Sequence, residues 1–484
     1  MKSFLSNSLK LSSAPFITQI ISFLALPIIT RAYDPDLFGV FNLLVSTAAF
    51  ISVFCCMGFD QAVVLPEKEE DGISLFQLSF FFTLLITILT LPVLILLETF
   101  VFSENIKLIK EYIYFIPLLV LISGLYNSFL AINIRMSNFG SIAFGRVINV
   151  IFNKSFIIFF SIFYISSVYS LLYGYIIGFV FLIIILVYSA KNINLFNVEN
   201  NFIDLIKKYK QFPIFIISND FLFRGKKAFI AFLIVYLFSA NDAGQYGIAL
   251  MILALPTTII GSSISEVFYK KIATIKDAKN LSIITLKLFK LSVLGFFLTF
   301  VLIAFFSSSI LPFFLGEKWF KAGQFISILS ILFFINLIFA QCNSILKKIN
   351  KQQYIVLYQL LLLIFSTSSF FLGHYYENLF LALIFHAISN GFLTILFGLF
   401  TFKLIGIENS CLKEISFKFI FYNLPFVILI SVLNYFFRLS IPMILLISII
   451  VFSLYVYFIF QLDKDLRVML TDLFLYFKIK LKIN

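Results

Sequence analysis

The chain has 484 residues, of which 61% are hydrophobic and 12% charged, with a formal net charge of +13. Its mean hydropathy of +1.07 excludes water as the main solvent, because no soluble domain carries that balance. Backbone groups in lipid must pair internally, which leaves helices or a closed barrel, and apolar runs without strict alternation exclude the barrel.

In chain order, Lys2 and Lys10 precede an apolar stretch from Leu11 to Ile29 that imitates a secretory signal. No small-residue cleavage pattern follows and a second span does, so the stretch reads as the first helix. Polar breaks place the first six spans near residues 11–30, 40–58, 74–97, 112–134, 146–165 and 168–189. The next six fall near 213–238, 246–264, 285–315, 323–346, 354–373 and 378–402, and a last pair near 417–437 and 440–460. The expected architecture is thus all-α and polytopic, with about fourteen transmembrane helices.

Cytoplasmic loops hold an excess of lysine and arginine. With the N-terminus inside, 26 of the 36 such residues fall in cytoplasmic segments, 6 outside and 4 within spans. A miscounted span would invert this bias downstream, and no inversion occurs, although the acidic Glu67–Asp71 loop lies on the inner side. Both termini are expected in the cytoplasm, and the positive charge reflects this bias rather than nucleic acid. The basic stretch from Leu205 to Phe212 and the C-terminal tail have helical apolar spacing suited to an anionic leaflet.

Cys55, Cys56, Cys342 and Cys411 form no C-x-x-C, and His374 and His386 are the sole histidines, so no metal cluster is expected. An internal echo is present. Tyr33–Phe41 aligns with Phe238–Tyr246 at an offset of 205, matching Gly39 to Gly244 and Phe41 to Tyr246. At the same offset Asp60 and Gln61 fall opposite Ser265 and Glu266. The expected design is two pseudo-symmetric six-helix lobes, 1–204 and 205–402, around a central cavity, with two extra helices and a basic interfacial tail over 403–484.

"LPIITRAYDPDLFGVFNLL", "GFDQAVVLP", "DAGQYGIALMILALPTTIIGSSISEVFY" and "LPFFLGEKWFKAG" together resemble the bacterial polysaccharide flippases. That family shares a superfamily with multidrug and toxic-compound extrusion antiporters and the lipid II flippase. The resemblance runs from residue 1 to about 400 in matching order. It implies a two-lobed fold that carries undecaprenyl-diphosphate-linked repeat units, such as those of O-antigen, across the inner membrane. Many such flippases have twelve spans, against fourteen here.

The seventh span carries Asp220, Arg224, Lys226 and Lys227 inside an apolar run. Asp220, Arg224 and Lys227 stand at i, i+4 and i+7 and share a helical face. A cation at mid-bilayer costs ~3 kcal/mol or more unless it meets a partner or water. One reading makes these residues a cytoplasmic flank with Asp220 neutralising Arg224; the other makes them cavity cations for a diphosphate. The fifth span offers Arg146, Asn149 and Asn153 at i, i+3 and i+7, with Lys154 beside them. Arg146 also reads as an ordinary positive-inside residue. Asn127, Asn336, Gln341, Asn343, Gln359 and Asn390 suit sugar hydroxyls or helix-to-helix hydrogen bonds.

No cofactor is expected. Drug-extruding relatives place a carboxylate in the first helix and residues 11–30 contain none, which lowers the antiporter alternative. Outward movement of two negative charges at ~100 mV releases ~4–5 kcal/mol, so coupling to a proton or sodium gradient is admitted but not required. A polysaccharide polymerase would need a larger external segment than the one around Glu98–Glu111, and no phosphate-binding loop supports an ATP-driven pump. Expected partners are the lipid-linked anionic oligosaccharide, membrane lipids, and polymerase or chain-length proteins.

Overall fold

The computed structural model describes residues 2–100, 110–163, 166–191, 202–257, 268, 272, 275, 277–436 and 440–462. Among them no strand occurs. The first helices are α1 (Lys2–Ala32), α2 (Pro35–Ile51), the single turn α3 (Phe59–Ala62), α4 (Glu69–Phe100), α5 (Phe115–Arg135), α6 (Phe139–Phe163) and α7 (Val168–Ser189). After α8 (Phe202–Lys208) come α9 (Gln211–Leu237), α10 (Ala240–Pro256), α11 (Ala278–Leu315), α12 (Phe320–Ile338) and α13 (Cys342–Lys348). The last four are α14 (Gln353–Tyr375), α15 (Leu379–Leu404), α16 (Asn409–Phe436) and α17 (Ile441–Leu462).

Among the described residues eleven helices are long and apolar enough to cross a bilayer, so the count of fourteen is not confirmed. The other three expected spans are helical but fall short. Helix α2 has 17 residues, α9 carries four charges in its middle, and α10 is described over 17 residues, with most of the remainder of its expected span outside the described residues. The C-terminal tail, Ser265 and Glu266 lie outside the described residues.

Local sequence explains several boundaries. Pro35 opens α2 with its φ already helical and Asp36 faces the positive end of that helix. Helix α7 begins with a capping box in which the Ser167 hydroxyl accepts from the Ser170 amide and the Ser170 hydroxyl accepts from the Ser167 amide. Helix α2 stops at Ile51, and the chain turns through Met57 and Gly58, both at positive φ, before α3. Glycine is required at 58, because a Cβ there would also lie 3.1 Å from the Phe212 carbonyl oxygen.

The contacts gather into two compact units. The first holds residues 1–251, 314–321 and 359–382, and the second holds 252–313, 322–358 and 383–484. In the first unit α1 packs on α6, α6 on α7, α4 on α5, and α9 on α2. Phe59, Leu75, Phe76, Ile132 and Leu186 belong to its core. The α6–α7 crossing is close because Gly174 and Gly178 face it: a Cβ at Gly178 would lie 2.6 Å from the Asn149 carbonyl oxygen. Amphipathic α8 seats Leu205 on this core and exposes Ile203.

Arg135 serves structure as well as orientation. Its Nη1 donates to the carbonyls of Val63 and Pro66 at 2.8 and 2.9 Å, and its Nη2 to that of Lys68 at 2.8 Å, fastening the loop between α3 and α4.

Within the same unit the starts of α2 and α10 meet reciprocally. Asn241 Nδ2 donates to Asp36 Oδ2 at 2.9 Å, across an interval of 205 residues. A Cβ on Gly39 would overlap the Ala240 carbonyl, and one on Gly244 would overlap the Pro35 carbonyl. A Cβ on Gly247 would strike Asn42, also 205 positions away. Each contact exchanges into its counterpart under the offset, the signature of a local two-fold relation.

In the second unit Phe268, Leu294, Phe300, Phe334, Phe402 and Tyr455 belong to one core. Helices α16 and α17 join it through Tyr455, whose hydroxyl donates to the Leu294 carbonyl and to Asn423 Oδ1.

Candidate functional site

The expected charge cluster is built where α9 lies against the break after α2. Phe221 meets Phe50 at a tilt and Phe54 edge-on, at ring separations of 5.0 and 6.0 Å, and Gly225 lets α9 approach the Phe50 ring. This packing fixes the turn that carries Arg224. Its Nη2 lies 3.8 Å from Asp220 Oδ2, one turn earlier, and its Nη1 donates to Ser52 Oγ at 3.3 Å. Asp60, on α3, feels the charges of both Asp220 and Arg224. Asp220 therefore pairs with the guanidinium, and Asp60 lies within its electrostatic reach.

The remaining basic residues of α9 diverge. Lys227 is exposed, whereas Lys226 is partly buried and donates from Nζ to Gln359 Oε1 of α14 at 3.4 Å. Helical periodicity alone grouped Asp220, Arg224 and Lys227; the structure adds Ser52, Asp60 and the Lys226–Gln359 contact. Asp60 stands two residues after the positive-φ turn at Gly58, within electrostatic range of Asp220 and Arg224 on α9.

On α6 the expected set divides by depth. Asn149 and Asn153 are 9% and 8% exposed and face the α7 glycines, while Arg146 and Lys154 are partly exposed. Asn149 Nδ2 and Asn153 Oδ1 are buried without a hydrogen-bond partner. Buried amide groups left open in this way form a place for a polar ligand or water. Beside them Tyr33 donates from its hydroxyl to the Ile157 carbonyl at 2.9 Å and to Ser170 Oγ at 3.0 Å, tying the end of α1 to the α6–α7 pair.

At the turn where α1 passes into α2, the segment from Gly316 to Lys321 is clamped in place. Trp319 is fully buried, donates from its indole N–H to the Thr30 carbonyl at 2.8 Å and meets Phe38 edge to face. Lys318 pairs with Asp34 at 2.8 Å and accepts at its carbonyl from Gln245. Lys321 pairs with Asp242 at 3.1 Å.

In the second unit a polar ladder runs along α15. Asn390 donates to both the Nδ1 and the carbonyl oxygen of His386, and Thr394 meets Tyr358 of α14 and Asn336 of α12. Asn336 and Asn390 thus take part in helix-to-helix and within-helix hydrogen bonds.

The model of a family described as "polysaccharide biosynthesis protein" matches residues 28–324. No curated protein matches the chain in sequence. Among solved structures, the lipid II flippase MurJ in an inward closed conformation is 15% identical, with a TM-score of 0.73 over 93% of this chain and 98% of that one. An inward-facing multidrug resistance MATE transporter of the MOP superfamily is 14% identical, with a TM-score of 0.64 over 82% of this chain and 96% of that one. Likeness at these identities establishes a common fold. The chain is a multi-pass, all-helical membrane protein with the MurJ and MATE fold, and it belongs to the polysaccharide biosynthesis protein family.

Proposed function

We propose that the chain is a flippase, not an enzyme, that moves undecaprenyl-diphosphate-linked oligosaccharide repeat units from the cytoplasmic to the periplasmic leaflet of the inner membrane by alternating access. The observation that carries this reading is membership of a polysaccharide biosynthesis family in a chain whose fold is that of a lipid-linked-precursor flippase. The charges on α9 support it, because an anionic lipid head cannot cross hydrocarbon without fixed cations in place of water. Asn149 and Asn153, with open amide groups, are candidates to meet the sugar, with Arg146 and Lys154 as neighbouring cations on the same helix.

In this reading the repeat at offset 205 defines two lobes, 1–204 and 205–402, with 403–484 as an addition. Both termini lie in the cytoplasm, and polymerase and chain-length proteins receive the product. The membrane potential suffices as driving force, with a proton or sodium gradient as an admissible supplement. A drug antiporter is less favoured, since α1 contains no acidic residue. Depletion of the protein should accumulate lipid-linked repeat units on the cytoplasmic face. Unchanged sidedness with a loss of drug efflux would replace this reading with the antiporter.

A further inference from the structure

The cations of α9 do not have the same counter-charges. Arg224 already has Asp220 at 3.8 Å, Ser52 at 3.3 Å and Asp60 within electrostatic range. Recruiting it to an incoming anion would pull it from the carboxylate and hydroxyl that it already engages. Lys226 is different. Its single polar contact among the described residues is the neutral amide oxygen of Gln359, at a long 3.4 Å, and no acidic side chain pairs with it. Helix α9 has 27 residues, and Lys226 stands 11 residues before its end at Leu237, about 16 Å at 1.5 Å per residue. A lysine so far from the helix end cannot easily snorkel to an interface, so its charge has a standing need for a counter-ion.

We propose that Lys226, held by Gln359, is the point that binds the diphosphate of the lipid-linked substrate, while Asp220 and Arg224 form an internally neutralised pair that shapes the turn. The assignment rests on the flippase reading. A phosphate oxygen carries charge that the Gln359 oxygen lacks, so it displaces that oxygen from Nζ with a shorter, charge-assisted bond. Gln359, once released, turns its amide N–H groups toward the same phosphate. Lys227, exposed one residue on, cannot make this exchange with Gln359.

The test is binding of undecaprenyl diphosphate to the purified full-length chain, with undecaprenol as the uncharged probe, read by native mass spectrometry and by ligand-induced thermal stabilisation. The wild type should bind the diphosphate and discriminate against the alcohol. Lys226→Gln should weaken diphosphate binding about tenfold or more, Lys226→Arg should largely retain it, and Lys403→Gln, a charge control at the end of α15, should bind as wild type. Gln359→Glu is the decisive companion, since it is nearly isosteric and sets a carboxylate against Lys226. It should abolish diphosphate binding while holding or raising the unliganded melting temperature. Wild-type binding by Lys226→Gln or by Gln359→Glu would overturn the assignment, and a selective loss in Arg224→Gln would move the site to the arginine with the flippase reading intact. A wild type that binds neither probe, or both alike, would remove the flippase reading itself.

Discussion

Gly39 of α2 and Gly244 of α10 lie so close that a Cβ on either would stand 3.0 Å from the other's backbone nitrogen and would overlap a carbonyl of the opposing helix. The contact is reciprocal, Gly39 on Ala240 and Gly244 on Pro35. Neither helix can take a side chain here without moving away from the other.

Gly39→Ala and Gly244→Ala should therefore destabilise the protein by similar amounts, ~1–3 kcal/mol each through overpacking. Thermal unfolding in detergent is the measurement. Gly140→Ala, which meets nothing within 4 Å, serves as the neutral comparison. Clearly unequal losses at the two glycines would deny the two-fold relation.

The ion pairs beside this crossing differ in depth. Asp34 is 70% exposed, and removing its charge should cost well under ~1 kcal/mol. Asp242 is 15% exposed, pairs with Lys321 and accepts from the Ser239 hydroxyl, so Asp242→Asn should cost more than Asp34→Asn. Comparing the two melting temperatures checks this order, and the gap should narrow at high salt.

Along the α6–α7 seam, packing and ligand roles can be separated. Gly178→Leu should disrupt the helix pair and reduce abundance, because it would press on the Asn149 carbonyl and Asn153 Cβ. Asn153→Ala gives up no hydrogen bond from its open Oδ1 and should leave abundance near normal. Export lost at normal abundance would place Asn153 against substrate; normal export would reduce it to a packing residue.

Asp220→Asn tests the pairing on α9. Arg224 would keep Ser52 and the charge of Asp60 but lose its nearer carboxylate. Stability should fall by ~1 kcal/mol or less, because both partners are about a third exposed, and restoring the carboxylate one methylene longer with Asp220→Glu should recover part of it.

Much of this was written in the sequence because hydrocarbon enforces a simple code. Long apolar runs become helices, and the Gly39–Gly244 match at an offset of 205 marked the position where α2 and α10 touch. What periodicity could not supply was pairing between distant elements. Asp220, Arg224 and Lys227 share a helical stripe on paper. Yet Ser52 and Asp60 engage Arg224 only because α2 breaks before Gly58, and Lys226 finds Gln359 only because α14 passes it. The count of fourteen is not confirmed for a related reason: reading polar breaks alone credits α2, with 17 residues, and α9, with charges in its middle, as full spans.

Trp319 is the one tryptophan in the chain, and it is sealed completely from solvent. The protein therefore carries its own optical probe at the junction of α1 and α2. Its emission should be blue in the resting state and shift to the red whenever the clamp around Gly316–Lys321 lets water in, so stopped-flow fluorescence can time that opening with no dye attached. Trp319→Phe should erase the signal, and a transport cycle that leaves the emission unchanged would mean that this junction stays shut throughout.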